Sequence, residues 1–256
     1  MTDMHVRHTP GDDNRPAIAL HCMMGTGSYW APIAKDLGGR IDLRAPDFPS
    51  HGRSPKWEDR GLDYHTDITR QVAGMIDRPL DLIGHSLGAT VALRIAVGAP
   101  EAVRSLTLIE PVLFAASPDD EQMALFRIMH EALDKGDRAE AVRAFLDCWG
   151  VPGTDMDEAA ANPRFQEQIA LVVSTNDALV EDRFNILRPD GLESIDAPVM
   201  IIMGGDSPKV IPGIADTLAA RLPDVARASV PGAGHMLPLS HRAAVSDLIA
   251  MNLDRA

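Results

Sequence analysis

Cysteine is scarce in this chain: Cys22 and Cys148 are the only two among 256 residues. Two thiols cannot build a disulfide framework, so a reducing, cytoplasmic setting is expected. No apolar run approaches the length of a membrane span. The opening MTDMHVRHTPGDDNRP is polar, with no apolar segment of the kind a signal peptide needs. Basic charge is in deficit: 24 Lys and Arg face 37 Asp and Glu, leaving a net charge of -13. That balance argues against nucleic acid or an anionic membrane as partner. Zinc-type clusters of Cys, His and carboxylates are missing, as is a Gly-rich phosphate loop, so no metal or organic cofactor is expected. Internal repeats, low-complexity tracts and long charge runs are absent too.

What is present is a hydrophobic content of 45%, enough for one substantial domain, and a strict alternation of two patterns. Short apolar runs at 17–21, 41–45, 80–83, 105–110, 198–203 and 226–230 read as strands. Helical patterns at 29–37, 63–75, 88–97, 212–221 and 241–252 lie between them. Alternation of this kind predicts a mostly parallel sheet covered by helices on both faces.

The rhythm breaks between Glu110 and Pro198, where no convincing strand occurs. Helices are predicted at 119–135, 138–149 and 163–185, with apolar positions such as Met123, Phe126, Met129 and Leu133 at helical spacing. These helices are expected to pack on one another and to form a cap over the strand ends, where open α/β sheets bind ligands. Residues 1–111 and 196–256 would then form the core, and 112–195 the helical cap.

The segment DLIGHSLGATVAL, residues 81–93, places Ser86 between Gly84 and Gly88 where a strand should run into a helix. A sharp turn there strains its apex residue and demands small neighbours, and it lifts the apex side chain toward the positive end of the helix. A hydroxyl in that position suits a nucleophile, which needs a base of near-neutral pKa. Of nine histidines, His235 is the candidate, in the Gly/Pro-rich loop PGAGHMLPL after the last strand. His5 and His8 lie in the polar start, His130 falls mid-helix in the cap segment, and His241 opens the last helix.

GHSLG, LHCMMGTGSYW, APDFPSHGRS and GAGHMLP occur in this order across nearly the whole chain. In that order the chain resembles the α/β-hydrolase fold superfamily, whose nucleophile elbow, oxyanion loop, D-x-P-G-H-G-x-S segment and histidine loop they match. The resemblance implies an oxyanion hole made by the backbone N–H groups of Met23 and Leu87. Two departures stand out. Cys22 replaces the usual glycine after His21, and is read as a buried thiol rather than a nucleophile. Ser50 replaces a glycine before His51, which is read as a structural hydrogen-bonder.

The acid that would orient His235 has two candidates. The family's usual position, three residues past the glycine that ends the late strand, falls on Ser207, with Asp206 one short. Some relatives instead carry the acid after the strand that follows the nucleophile helix, where this chain has Glu110. Glu110 is preferred on this spacing and Asp206 stays open.

The resemblance implies a serine hydrolase of carboxylic esters or related acyl compounds, working through a covalent acyl-enzyme on a small uncharged substrate. A serine at the elbow argues against the aspartate-dependent dehalogenase and epoxide hydrolase branches. Because fold does not fix reaction, a lyase, a C–C bond hydrolase, a cofactorless oxidative enzyme or a ligand-binding receptor remains the alternative.

Overall fold

The computed structural model describes residues 4–256; residues 1–3, the first of the expected core segment, lie outside the described residues. Seven strands form a single sheet. They are β1 (Val6–Thr9), β2 (Pro16–Leu20), β3 (Asp42–Pro46), β4 (Leu80–His85), β5 (Val103–Ile109), β6 (Val199–Gly204) and β7 (Val225–Val230). Their spatial order is β1-β3-β2-β4-β5-β6-β7, parallel except for β1, which runs antiparallel to β3. The architecture is thus α/β, a mostly parallel central sheet flanked by helices, as the alternating sequence predicts.

Six strands match the predicted runs. The short β1 was not expected, because Val-Arg-His-Thr carries no apolar signal of its own and is held by its ladder to residues 43–46. The central strands β2, β4 and β6 are buried throughout, and their side chains alternate between two faces. On one face Ile18, Leu20, Leu82, Leu106 and Leu108 pack against α2 (Tyr64–Ala73), α3 (Leu87–Gly98) and α8 (Val210–Ala219). On the other, Ala17, Ala19, Ile83, Ile109 and Ile202 pack against α1 (Trp30–Asp36) and α10 (Arg242–Leu253). Ala17 and Ala19 of β2 share this layer with the fully buried Trp30. One buried charge is tolerated within β4: Asp81 accepts from Arg15 Nε at 2.8 Å and from Ser105 Oγ at 2.7 Å.

Between β5 and β6 lie α4 (Asp120–Asp134), α5 (Arg138–Trp149), α6 (Met156–Ala161) and α7 (Pro163–Val180). Each begins at an acidic or amide residue whose side chain accepts from the first turn: Asp119, Asp137, Asp155 and Asn162. The short α6 was read as loop, and α7 ends at Val180 instead of near residue 185, where Asp182 and Asn185 adopt positive φ. The last predicted helix, 241–252, is present as α10, and the short α9 (Leu237–Ser240) precedes it where only a loop was expected.

Candidate active site

Ser86 sits at the turn from β4 into α3 with φ +56° and ψ -120°, a strained conformation for a residue with a side chain. Its two glycines are forced by space. A Cβ at Gly84 would stand 2.4 Å from the Gly88 carbonyl oxygen, and one at Gly88 would stand 2.4 Å from that of Leu20. No side chain fits at either place, so strand, turn and helix pack at backbone contact. Ser86 donates its N–H to Ile109 O at 2.9 Å, and its side chain forms no cap bond with α3. The hydroxyl is therefore left facing a cavity.

Met23 and Leu87 line the same recess as Ser86. Leu87 is the first residue of α3, so its N–H precedes any acceptor within the helix. Among the described residues no acceptor is bonded to the Met23 N–H. The loop carrying Met23 is fixed on both sides. Met24 N–H donates to His51 Nε2 at 3.0 Å, while His51 Nδ1–H donates to Pro49 O at 2.9 Å. Upstream, Cys22 N–H donates to Tyr29 Oη at 3.2 Å. Burial pushes the Cys22 thiol up to about 12, which leaves it protonated and unreactive at neutral pH.

His235 lies in the loop between β7 and α9, 5% exposed. Its Nδ1 donates to Glu110 Oε2 at 2.9 Å, and the residue lines the same recess as Ser86. Glu110 is wholly buried and itself strained, with φ +51° directly before Pro111, where the left-handed region is disfavoured. Its other oxygen, Oε1, accepts from Gly204 N–H at 2.7 Å and from Ser207 Oγ at 2.8 Å. The uncharged residue at the family's usual acid position thus holds the glutamate carboxylate. Asp206 makes no bond to His235; its N–H donates to Ala233 O, and it lines a surface cleft with Asp119 and Lys209. The geometry joins Glu110, and not Asp206, to the histidine.

Ser86 and His235 both line two neighbouring recesses, although no hydrogen bond joins their side chains among the described residues. One recess, about 40 Å³, is walled by Val112, Phe114, Phe126, Phe145, Trp149 and Val172. The other, about 240 Å³, opens past Met24, Val151, Phe165 and Leu239. Residues of α4, α5 and α7 therefore line the recess onto which Ser86 opens. Trp149 presents an edge contact to the His235 ring, with centroids 4.6 Å apart.

Sequence reasoning overlooked a buried relay beside the pair. Tyr29 Oη lies 3.1 Å from His85 Nδ1, and His85 Nε2–H donates to His235 O at 2.9 Å. Burial, and then the neighbouring His235, holds the His85 imidazole well below its ordinary pKa, so it is neutral and can both accept and donate. The signal was a histidine at the buried end of β4, which must find two partners in the core. Among the described residues no cluster of three or more His, Cys, Asp or Glu is placed to hold a metal ion. Nor is any helix there long and apolar enough to cross a membrane.

An alpha/beta hydrolase family model matches residues 17–248. The chain belongs to that family. A pimeloyl-[acyl-carrier protein] methyl ester esterase of Nitrosomonas europaea is 26% identical over 246 residues, spanning 92% of this chain and 93% of the relative. Its counterpart in Neisseria meningitidis serogroup A is 30% identical over 215 residues, 80% of this chain and 66% of that protein. Among solved structures, a 2-hydroxy-6-oxo-6-phenylhexa-2,4-dienoate hydrolase from Rhodococcus superposes with a TM-score of 0.75 at 20% identity, covering 100% of both chains. At that identity the likeness concerns the fold of the family member alone.

Proposed function

We propose that this family member hydrolyses small, uncharged carboxylic esters through Ser86, His235 and Glu110, by way of a covalent acyl-enzyme. An esterase-type hydrolase is what its relatives indicate. The observation that carries the finer reading is the 2.9 Å bond from His235 Nδ1 to Glu110 Oε2, behind a serine held at a strained elbow. With Nδ1–H committed to the carboxylate, Nε2 is the basic nitrogen left to take the Ser86 proton.

In the first half-reaction His235 Nε2 takes the hydroxyl proton as Ser86 Oγ bonds to the carbonyl carbon. Negative charge moves onto the carbonyl oxygen, where the Met23 and Leu87 N–H groups receive it. The imidazolium is stabilised by Glu110, whose oxygens are already fixed by Gly204 and Ser207. Collapse of the adduct breaks the ester C–O bond, and Nε2–H protonates the departing alkoxide. Water then attacks the acyl-serine with His235 again as base, releasing the acid and restoring the hydroxyl.

The apolar recess beside Ser86 fits a short acyl chain, and the wider one leads the alcohol side outward. The test pairs two measurements. A fluorophosphonate should label Ser86 stoichiometrically, and p-nitrophenyl butyrate should turn over with a burst of p-nitrophenol. Labelling without turnover would instead mark a non-hydrolytic binding protein built on this fold.

A further inference from the structure

The recess that would take the acyl chain is apolar except at one place away from the Ser86–His235 pair. There α7 contributes Thr175 and Asn176. Asn176 is 6% exposed, and among the described residues neither end of its amide has a hydrogen-bond partner; the nitrogen is closed off completely from solvent. Thr175, by contrast, is satisfied, its hydroxyl donating to Leu171 O at 2.7 Å. A buried amide with no partner weakens the fold, and a leucine of nearly the same size would fill the position without that cost. The wall around it, including Val172, Phe126 and Leu179, supplies nothing for it to bond.

We infer that Asn176 is a specificity-determining residue that receives a hydrogen-bond acceptor, such as an oxo, ether or second ester oxygen, carried on the acyl chain of the substrate. This rests on the ester-hydrolase reading for which recess holds the acyl group. Rotation about Cβ–Cγ exchanges the amide oxygen and nitrogen at small cost, so the N–H donors can turn to the ligand. The neutral amide and apolar wall select an uncharged acceptor: a carboxylate would enter with no cation to meet it, and an ammonium would be desolvated among aromatic rings. The Thr175 hydroxyl oxygen, with its proton already committed, offers no competing donor.

The test compares p-nitrophenyl hexanoate with its 4-oxo and 5-oxo analogues, which differ only by the added acceptor. The unmodified protein should favour one oxo ester at least tenfold in kcat/KM, and Asn176→Leu should bring the ratio to within twofold of unity. The same substitution should raise Tm, because it removes an unpartnered polar group. In parallel, Ser86→Ala protein should be stabilised more by the methyl oxohexanoate than by methyl hexanoate, and Ser86→Ala/Asn176→Leu should not discriminate. This binding arm needs no turnover, so failure of the hydrolase reading would show in the first arm alone. An Asn176→Leu protein that melts lower and discriminates as before, in rate and in binding, overturns the inference. If leucine prevents folding, Asn176→Ala carries the same comparison.

Discussion

Glu110 and His235 are 125 residues apart in the chain, yet their side chains meet at 2.9 Å in the core beneath the cavity. The glutamate holds a left-handed backbone before a proline to do so, and Gly204 and Ser207 occupy its other oxygen. Glu110→Gln should therefore lower kcat by about 10³-fold or more with little change in KM, since an amide can neither hold the proper tautomer nor offset the imidazolium. Asp206→Asn should cost less than tenfold. Steady-state kinetics of the two variants on one p-nitrophenyl ester decide it; the reverse ranking would return the role to Asp206.

Ser86 offers a separation of activity from stability. Ser86→Ala should reduce kcat by about 10⁴-fold while the fold persists. Ser86→Gly should be equally inactive but more stable than Ser86→Ala by about 1 kcal/mol, because glycine relieves the positive φ. Chemical denaturation of both variants measures the difference. Equal stabilities would show that the elbow stores no strain at this residue.

Phe126 lines the narrow recess and packs edge-on against Phe114, with centroids 5.1 Å apart. Phe126→Ala should lengthen the preferred acyl chain and cost about 3 kcal/mol of stability, the price of an unfilled cavity. A series of p-nitrophenyl esters from acetate to decanoate reads the first effect and urea unfolding the second. Lost stability with an unchanged chain-length profile would assign Phe126 to packing alone.

Acid should destabilise the fold steeply. Burial holds His51 down to about 4 and, aided by Arg94, His65 down to about 3, while His21 and His85 are also displaced downward by burial. Each folded value lies below the unfolded value of about 6.5. Stability is thus complete above pH 6.5 and is lost as pH falls toward 4 and then 3, where only the unfolded chain takes up protons. The slope is about 1.4 kcal/mol per pH unit for each histidine that titrates only when unfolded. His65 Nε2 lacks a partner, so His65→Leu should flatten the urea-midpoint profile between pH 6 and 4 by about one proton. An unaltered profile would mean that His65 charges freely in the folded state.

The helices between β5 and β6 show where sequence patterns were sufficient. Asp119 and Asp137 sit immediately before amphipathic runs, and the structure starts α4 and α5 one residue later. The short α6 escaped notice because six residues carry too little periodicity. The buried strands were readable for the same reason in reverse: continuous apolar runs such as VMIIMG have no solvent face to place.

Local chain chemistry by itself determined the elements and the elbow: alternation of apolar runs with helical periods, and glycines where no Cβ can fit beside Ser86. The alternation and Gly84, crowded by Gly88, depend on neighbours within a few positions, which the sequence records directly, whereas Gly88 is crowded by the Leu20 carbonyl of another strand. The pairing of Glu110 with His235, the support of that carboxylate by Ser207, and the Tyr29–His85 relay depend on side chains brought together by sheet order. Two carboxylates at two strand ends look alike in sequence. Only the packed loops decide which one reaches the imidazole, because a hydrogen bond discriminates over tenths of an ångström and chain spacing fixes position only to within a residue.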